Sequence, residues 1–183
     1  MAKQFESLLD EHIDFIKAQK IFFVSTAMPE GRINLSPKGM DTFRVIDNKT
    51  VCWLNLTGSG NETAAHIAVS PRMTIMMCAF EGKPLILRMY GAASVLHPYD
   101  EGFEKAALMF PEIAGTRQIF TLDISLVQTS CGFAVPYMDF VEERPILKEW
   151  AEKQGPEKIR NYWEEKNQFS LDGAPSHILA KSE

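Results

Sequence analysis

Trp53-Leu-Asn-Leu-Thr-Gly-Ser-Gly-Asn-Glu-Thr63 is the stretch whose reading decides the fold. An apolar run, Val51 to Leu56, has the make-up of a strand, and the residues after it have the make-up of a helix start. Two glycines and four small polar residues stand at the junction. Ser59 and Glu62 have the spacing of a capping box, in which the Ser59 hydroxyl accepts from the N3 amide and Glu62 reaches back. Such a turn presents backbone N–H groups at a positive helix terminus, which suits an anion. Gly58 and Gly60 would let a ligand come close to the backbone. The plainer reading is a well-capped strand-to-helix turn and nothing more, so the rest of the chain has to decide.

Upstream, Phe5, Leu8, Leu9, His12, Ile13 and Ile16 recur at three-to-four spacing, which predicts an amphipathic helix. Lys20 to Ala27 is β-rich, Pro29-Glu-Gly31 is a turn, and Arg32 to Ser36 alternates as the second strand of a hairpin that Pro37-Lys-Gly39 should break. Thr42 to Ile46 and Val51 to Leu56 flank the turn at Asp47-Asn48. Downstream, a helix over Thr63 to Val69 leads to a long apolar strand, Arg72 to Phe80, expected to be central. Leu85 to Val95 is the next strand, Tyr99 to Phe110 a helix, and Ile119 to Thr129 the last strand. About six principal strands joined mostly by short turns argue for a mainly β protein, an antiparallel barrel or sandwich with peripheral helices, rather than repeated βαβ units.

Beyond the barrel-like part, residues 1–140, the character changes. Residues 141–183 read as a helical extension, with charged helices over Arg144 to Trp150 and Pro156 to Lys166. The tail from Asn167 to Glu183 reads as irregular. Trp150, Tyr162 and Trp163 are spaced as anchors that dock the extension on the barrel or on a partner subunit.

Composition narrows the function. A net charge of −5 disfavours a nucleic-acid protein, which would carry a basic surplus. No apolar run is long enough for a transmembrane helix, and the polar N-terminus does not read as a signal peptide. Cys52, Cys78 and Cys131 are odd in number and widely spaced, as expected of reduced thiols in a cytoplasmic protein. Histidines 12, 66, 97 and 177 make no zinc-like spacing.

Four segments line up in order. They are Ser36-Pro-Lys-Gly-Met-Asp41, Trp53 to His66, Pro71 to Phe80 and Leu85-Ile-Leu-Arg-Met-Tyr-Gly91. Together they resemble the pyridoxamine 5′-phosphate oxidase-related FMN-binding split-barrel family, from about Phe15 to Pro136 and more weakly in Ser130 to Pro136 and Ser170-Leu-Asp-Gly173. The resemblance implies a six-stranded antiparallel Greek-key split barrel and a homodimer with FMN at the interface. It also implies a flavin-dependent oxidoreductase activity. Onto this sequence it carries a cofactor site of Ser36, Pro37, Lys38, Gly39, Trp53, Leu54, Asn55, Thr57, Gly58, Ser59, Gly60, Asn61, Glu62, Thr63 and Arg88. Thr57, Ser59 and Asn61 would cradle phosphate, Trp53 and Leu54 would give an apolar wall, and Ser36 to Gly39 a polar edge.

One departure matters. The family's oxidases proper carry a basic pair in the helix-start loop, where this chain has Ser59-Gly60-Asn61. The phosphate then needs a cation from elsewhere, with Lys38, Arg72 and Arg88 as candidates and Arg117 or Arg144 of a partner chain as fallbacks. The family's substrate-phosphate grip has no match either, so pyridoxamine phosphate is not the expected substrate. A non-catalytic flavin-binding or stress-response protein is the alternative, as is a split barrel holding deazaflavin or heme. No catalytic acid or base and no metal site are legible.

Overall fold

The computed structural model of the protein describes residues 2–179. The chain runs β1 (Lys3–Phe5), α1 (Asp10–Ala18), β2 (Phe22–Thr26), β3 (Asn34–Lys38), β4 (Phe43–Val45), β5 (Thr50–Leu56), α2 (Glu62–Val69), β6 (Arg72–Cys78), β7 (Ile86–Leu96), α3 (Phe103–Ala107), β8 (Thr116–Ser130) and α4 (Ile146–Lys166). One sheet holds every strand, in the order β3-β2-β6-β7-β8-β5-β4, with β1 also on β8. All pairings are antiparallel. The sheet curls into a half-barrel, the split-barrel architecture, with helices at its periphery.

The composition of β5 shows how the core forms. Its apolar run is nearly unbroken because both faces are covered. Val51 and Trp53 enter the main core with Phe22, Val24, Ile75, Met77, Leu87, Met89, Phe120 and Leu122, beneath α1 and α2. Cys52 and Leu54 enter a second cluster with Phe110 and Ile119, next to α3. β8 divides the same way, with Ile119 on one side and Phe120 and Leu122 on the other. Gly91 sits at an irregularity in the β7–β8 ladder, where a Cβ would come within 1.9 Å of the Asp123 carbonyl oxygen. A glycine is what lets the two long strands stay in contact there.

Several expectations shift. The sheet has eight strands rather than six. Phe5 lies in β1 rather than in the first helix. β8 is long enough to take up Lys3–Phe5 at its far end, with Lys3 opposite Thr129. The hairpin of β2 and β3 forms as the alternation predicts, but β3 runs on through Pro37 to Lys38. Pro37 sits on the end strand, where its missing N–H disturbs no second ladder. The expected helix from Tyr99 to Phe110 contracts to Phe103–Ala107. The two expected C-terminal helices meet in α4 at a kink, Gly155 at φ 71° ahead of Pro156. Residues 180–183 of the tail lie outside the described residues. Among the described residues no helix is long and apolar enough to cross a membrane.

Candidate functional site

The β3 strand turns Asn34, Ser36 and Lys38 to one side, two residues apart. The end of β5 brings Asn55, the turn brings Gly58 to Asn61, the start of α2 brings Glu62 and Thr63, and β8 brings Arg117. These residues and Leu56 enclose a cavity of about 290 Å³. Arg117 reaches it through a bulge. Asn55 pairs with Gln118 while the next residue, Leu56, pairs with Thr116, so Arg117 has no partner in the ladder. A residue freed in this way can be re-aimed off the regular face.

Two cations therefore meet in the cavity, and the one carboxylate in its lining, Glu62, is in ion-pair reach of His66 rather than of either of them. Arg117 is 3% exposed. One of its terminal nitrogens donates to the Gly60 carbonyl at 3.0 Å and to Asn167 Oδ1 at 2.7 Å. Its Nε is buried without a partner among the described residues. Burial pulls its pKa down to about 10, against a smaller opposing effect of Tyr162. Lys38 Nζ donates to Asn55 Oδ1 at 3.3 Å. Burial, and next the charge of Arg117, lower the Lys38 pKa to about 8. Among the described residues neither cation forms an ion pair. Buried like charges cost free energy unless an anion joins them.

A row of amides holds Lys38 in place. Asn55 Nδ2 donates to Gln118 Oε1 at 3.1 Å, and Gln118 Nε2 lies 3.3 Å from His97 Nδ1. His97 stacks on Tyr99 with ring centroids 5.1 Å apart. With Gln118 Nε2 turned to the histidine, its oxygen faces Asn55, and the Asn55 oxygen is left for Lys38.

The capping box does not form. α2 starts at Glu62 with Asn61 as its N-cap, and no side chain caps it. Ser59 stands too far before the helix, and the Glu62 carboxylate accepts instead from the Leu171 amide at 3.0 and 3.2 Å. The first-turn amides of α2 are thus left uncapped at the cavity, which strengthens its pull on an anion.

The structure brings Ser36, Lys38, Asn55, Gly58, Ser59, Gly60, Asn61, Glu62 and Thr63 to one cavity. Other expected residues lie elsewhere. Trp53 is fully buried and stacked on Phe120 at 4.8 Å, and Leu54 belongs to the second cluster, so neither forms a wall of the cavity. Both faces of β5 are already covered by core. Thr57 lies behind the turn, accepting from Trp163 Nε1 at 2.9 Å. Arg88 sits between Met76 and Gln128 in the sheet and donates to Ser130. Pro37 and Gly39, with Lys38 again, border a larger cavity of about 850 Å³. Ile21, Met40, Phe80, Met138, Phe140 and Trp150 supply its apolar walls. Asn34 and Leu56 are cavity residues absent from the expected site, and Arg117, expected only as a fallback from a partner chain, enters from the same chain. The adjacent polar pair Arg117-Gln118, ahead of the alternating run of β8, is the sequence signal that could have found Arg117.

His66 is buried, with Nδ1 3.2 Å from Thr26 Oγ1. Cys131 is exposed. Among the described residues no cluster of histidine, cysteine and carboxylates could hold a metal ion.

Residues 8–131 match the family model described as pyridoxamine 5′-phosphate oxidase. A pyridoxamine 5′-phosphate oxidase family protein of Aspergillus flavus, ustO, is 36% identical over 192 residues, covering 93% of this chain and 76% of that one. Among solved structures, HupZ of Group A Streptococcus has a TM-score of 0.52 at 20% identity, over 65% of this chain and 91% of its own. A FAD-binding protein of Mesorhizobium loti has a TM-score of 0.50 at 11% identity, over 70% of this chain and 97% of its own. At such identities the two structures show likeness of fold.

Proposed function

The chain belongs to the pyridoxamine 5′-phosphate oxidase family, and from that premise we propose that it is a flavin-dependent oxidoreductase whose smaller cavity holds the phosphate of FMN. The observation that carries this is the pairing of Lys38 with Arg117. The buried Arg117 and the half-buried Lys38 have no ion-pair partner among the described residues and sit beside an uncapped helix start. A phosphate dianion supplies the missing charge, and its oxygens suit the Arg117 guanidinium and the turn amides. Asn61 Oδ1 accepts no hydrogen bond among the described residues, and a ribityl hydroxyl would satisfy it. A volume of about 290 Å³ suits a phosphate and part of a sugar chain rather than a whole flavin. The ring would then extend beyond Lys38, where the larger apolar cavity begins.

A bound flavin supplies electron and hydride transfer. The chain's own contribution is to hold the phosphate, place a cation beside the cofactor, and offer about 850 Å³ of apolar space for the ring and a second reactant. That space favours an enzyme over a simple flavin carrier. The same reading makes the protein a homodimer. Ile33 and Leu35 are 74% and 65% exposed at the β3 end of the sheet, and Phe133, Tyr137 and Val141 are 82%, 82% and 87% exposed on the segment after β8. Bare edge strands and apolar patches of this kind support a partner surface.

Purified protein should show flavin absorbance and on denaturation release a flavin with one phosphate. Bleaching of those bands by a nicotinamide donor would support the enzymatic reading. Release of FAD or heme, or no uptake of added FMN, would refute the assignment.

A further inference from the structure

Asn167, just past α4, is 0% exposed although it is a polar residue on a charged tail. Every polar group it carries is engaged. Its amide donates to the Trp163 carbonyl at 3.0 Å, and its own carbonyl accepts from Asn61 Nδ2 at 3.3 Å and from the Ser176 hydroxyl. Its side chain works in two directions. Oδ1 accepts from Arg117 at 2.7 Å, and Nδ2 donates to the Gly58 carbonyl at 3.0 Å. Around it the tail is clipped to the same turn. Leu171 donates to Glu62, and Asp172 pairs with Arg32.

Peptide planarity carries this arrangement into the cavity. With the Gly58 carbonyl turned back to Asn167, the Ser59 N–H of the same trans peptide points the opposite way. Ser59 lines the cavity, Asn167 does not, and the Ser59 amide has no partner among the described residues. Oδ1 meanwhile fixes the fork of Arg117 without neutralising it, because a carboxamide accepts a hydrogen bond and carries no charge. A carboxylate at this point would fix the guanidinium equally well and cancel the charge that an anion needs.

We infer that Asn167 is a positioning residue of the phosphate site, turning both the Arg117 guanidinium and the Ser59 amide toward a phosphomonoester from behind the turn. The tail after α4 is then part of the cofactor site rather than an appendage. This rests on the flavin-phosphate reading, and the test separates the two.

The variants are Asn167→Ala and Asn167→Asp, the second nearly isosteric and still able to accept from Arg117. FMN and riboflavin are titrated by fluorescence quenching, and the ratio of their dissociation constants isolates the phosphate. Both variants should lose roughly 10- to 100-fold of that ratio, the scale of a lost charged hydrogen bond, with riboflavin affinity nearly unchanged. Inorganic phosphate is the second probe. It should raise the melting temperature of the unaltered apoprotein and fail to raise that of Asn167→Asp. Equal weakening of FMN and riboflavin, or an unchanged ratio, would reduce Asn167 to a fold-stabilising residue and overturn the inference. If the unaltered protein binds neither flavin, the flavin reading falls, and the phosphate-induced shift alone decides whether Asn167 orients an anion site.

Discussion

Replacing Lys38 by methionine should stabilise the empty protein and weaken it as a flavin binder. The ammonium is pulled from its ordinary pKa of 10.5 to about 8 by burial and by Arg117. That drop amounts to roughly 3 kcal/mol of destabilisation of the charged form at neutral pH. Methionine keeps the apolar stem and removes the charge. The bond to Asn55 Oδ1 is lost, at about 1–1.5 kcal/mol. The net gain is roughly 1–2 kcal/mol, which for a chain of this size raises the apo melting temperature by about 3–6 °C. FMN affinity should fall roughly 10- to 100-fold as a charged contact to phosphate disappears. pH supplies an internal control. Between about 8 and 10.5 the unfolded chain binds the Lys38 proton and the folded one does not, so apo stability should rise across that interval. FMN affinity should fall across the same interval as the ammonium discharges. The methionine variant should lack this lysine's contribution to both trends. Differential scanning fluorimetry and flavin titration between pH 7 and 10.5 measure them. A destabilised Lys38→Met apoprotein that binds FMN as tightly as before would refute the claim that this half-buried cation stands in wait for an anion.

Further outcomes test other parts of the reading. Arg117→Met should cost FMN at least as much affinity as Lys38→Met in titration and leave riboflavin nearly untouched. Replacing Ser59 and Asn61 together by alanine should weaken FMN by about 1.5–3 kcal/mol for each bond lost to the charged phosphate, and unchanged affinity would make the turn a plain connector. Arg88→Ala, whose side chain bonds Ser130 away from the cavity, should leave FMN affinity unaltered. Sedimentation should give about twice the 20.7 kDa chain mass, and dilution that splits the dimer should release flavin in parallel.

How much of this was legible in the chain depended on the range of the interactions involved. The strands of the sheet and the β2–β3 hairpin follow from alternation and turn residues, which are local signals. The cavity's turn, Gly58 to Asn61, was legible for the same reason. The strand count was not. The pairing of β1 is decided by the far end of β8, and apolar residues at Phe5, Leu8 and Leu9 fit a helical spacing equally well. The capping box failed for a related reason. Its residues have the right types, but a backbone amide 109 residues away claims the Glu62 carboxylate.

The second cation of the cavity was the hardest to read. Resemblance directed attention to Arg88, since it lies within a matching strand segment. Yet a strand arginine reaches a ligand only if its side chain faces the cavity, and that of Arg88 is turned to Ser130 instead. Arg117 reaches the cavity because the ladder slips by one residue beside it. A slip of that kind depends on how two strands of unequal path meet, and neither strand's own sequence encodes it. The same is true of Asn167. Its bonds to Gly58, Asn61 and Arg117 join segments separated by 109, 106 and 50 positions. On the proposed reading, a phosphate site without the basic pair that the resemblance implies recovers its charge from a bulge and its geometry from a tail. The local motif then records only the turn on which the two converge.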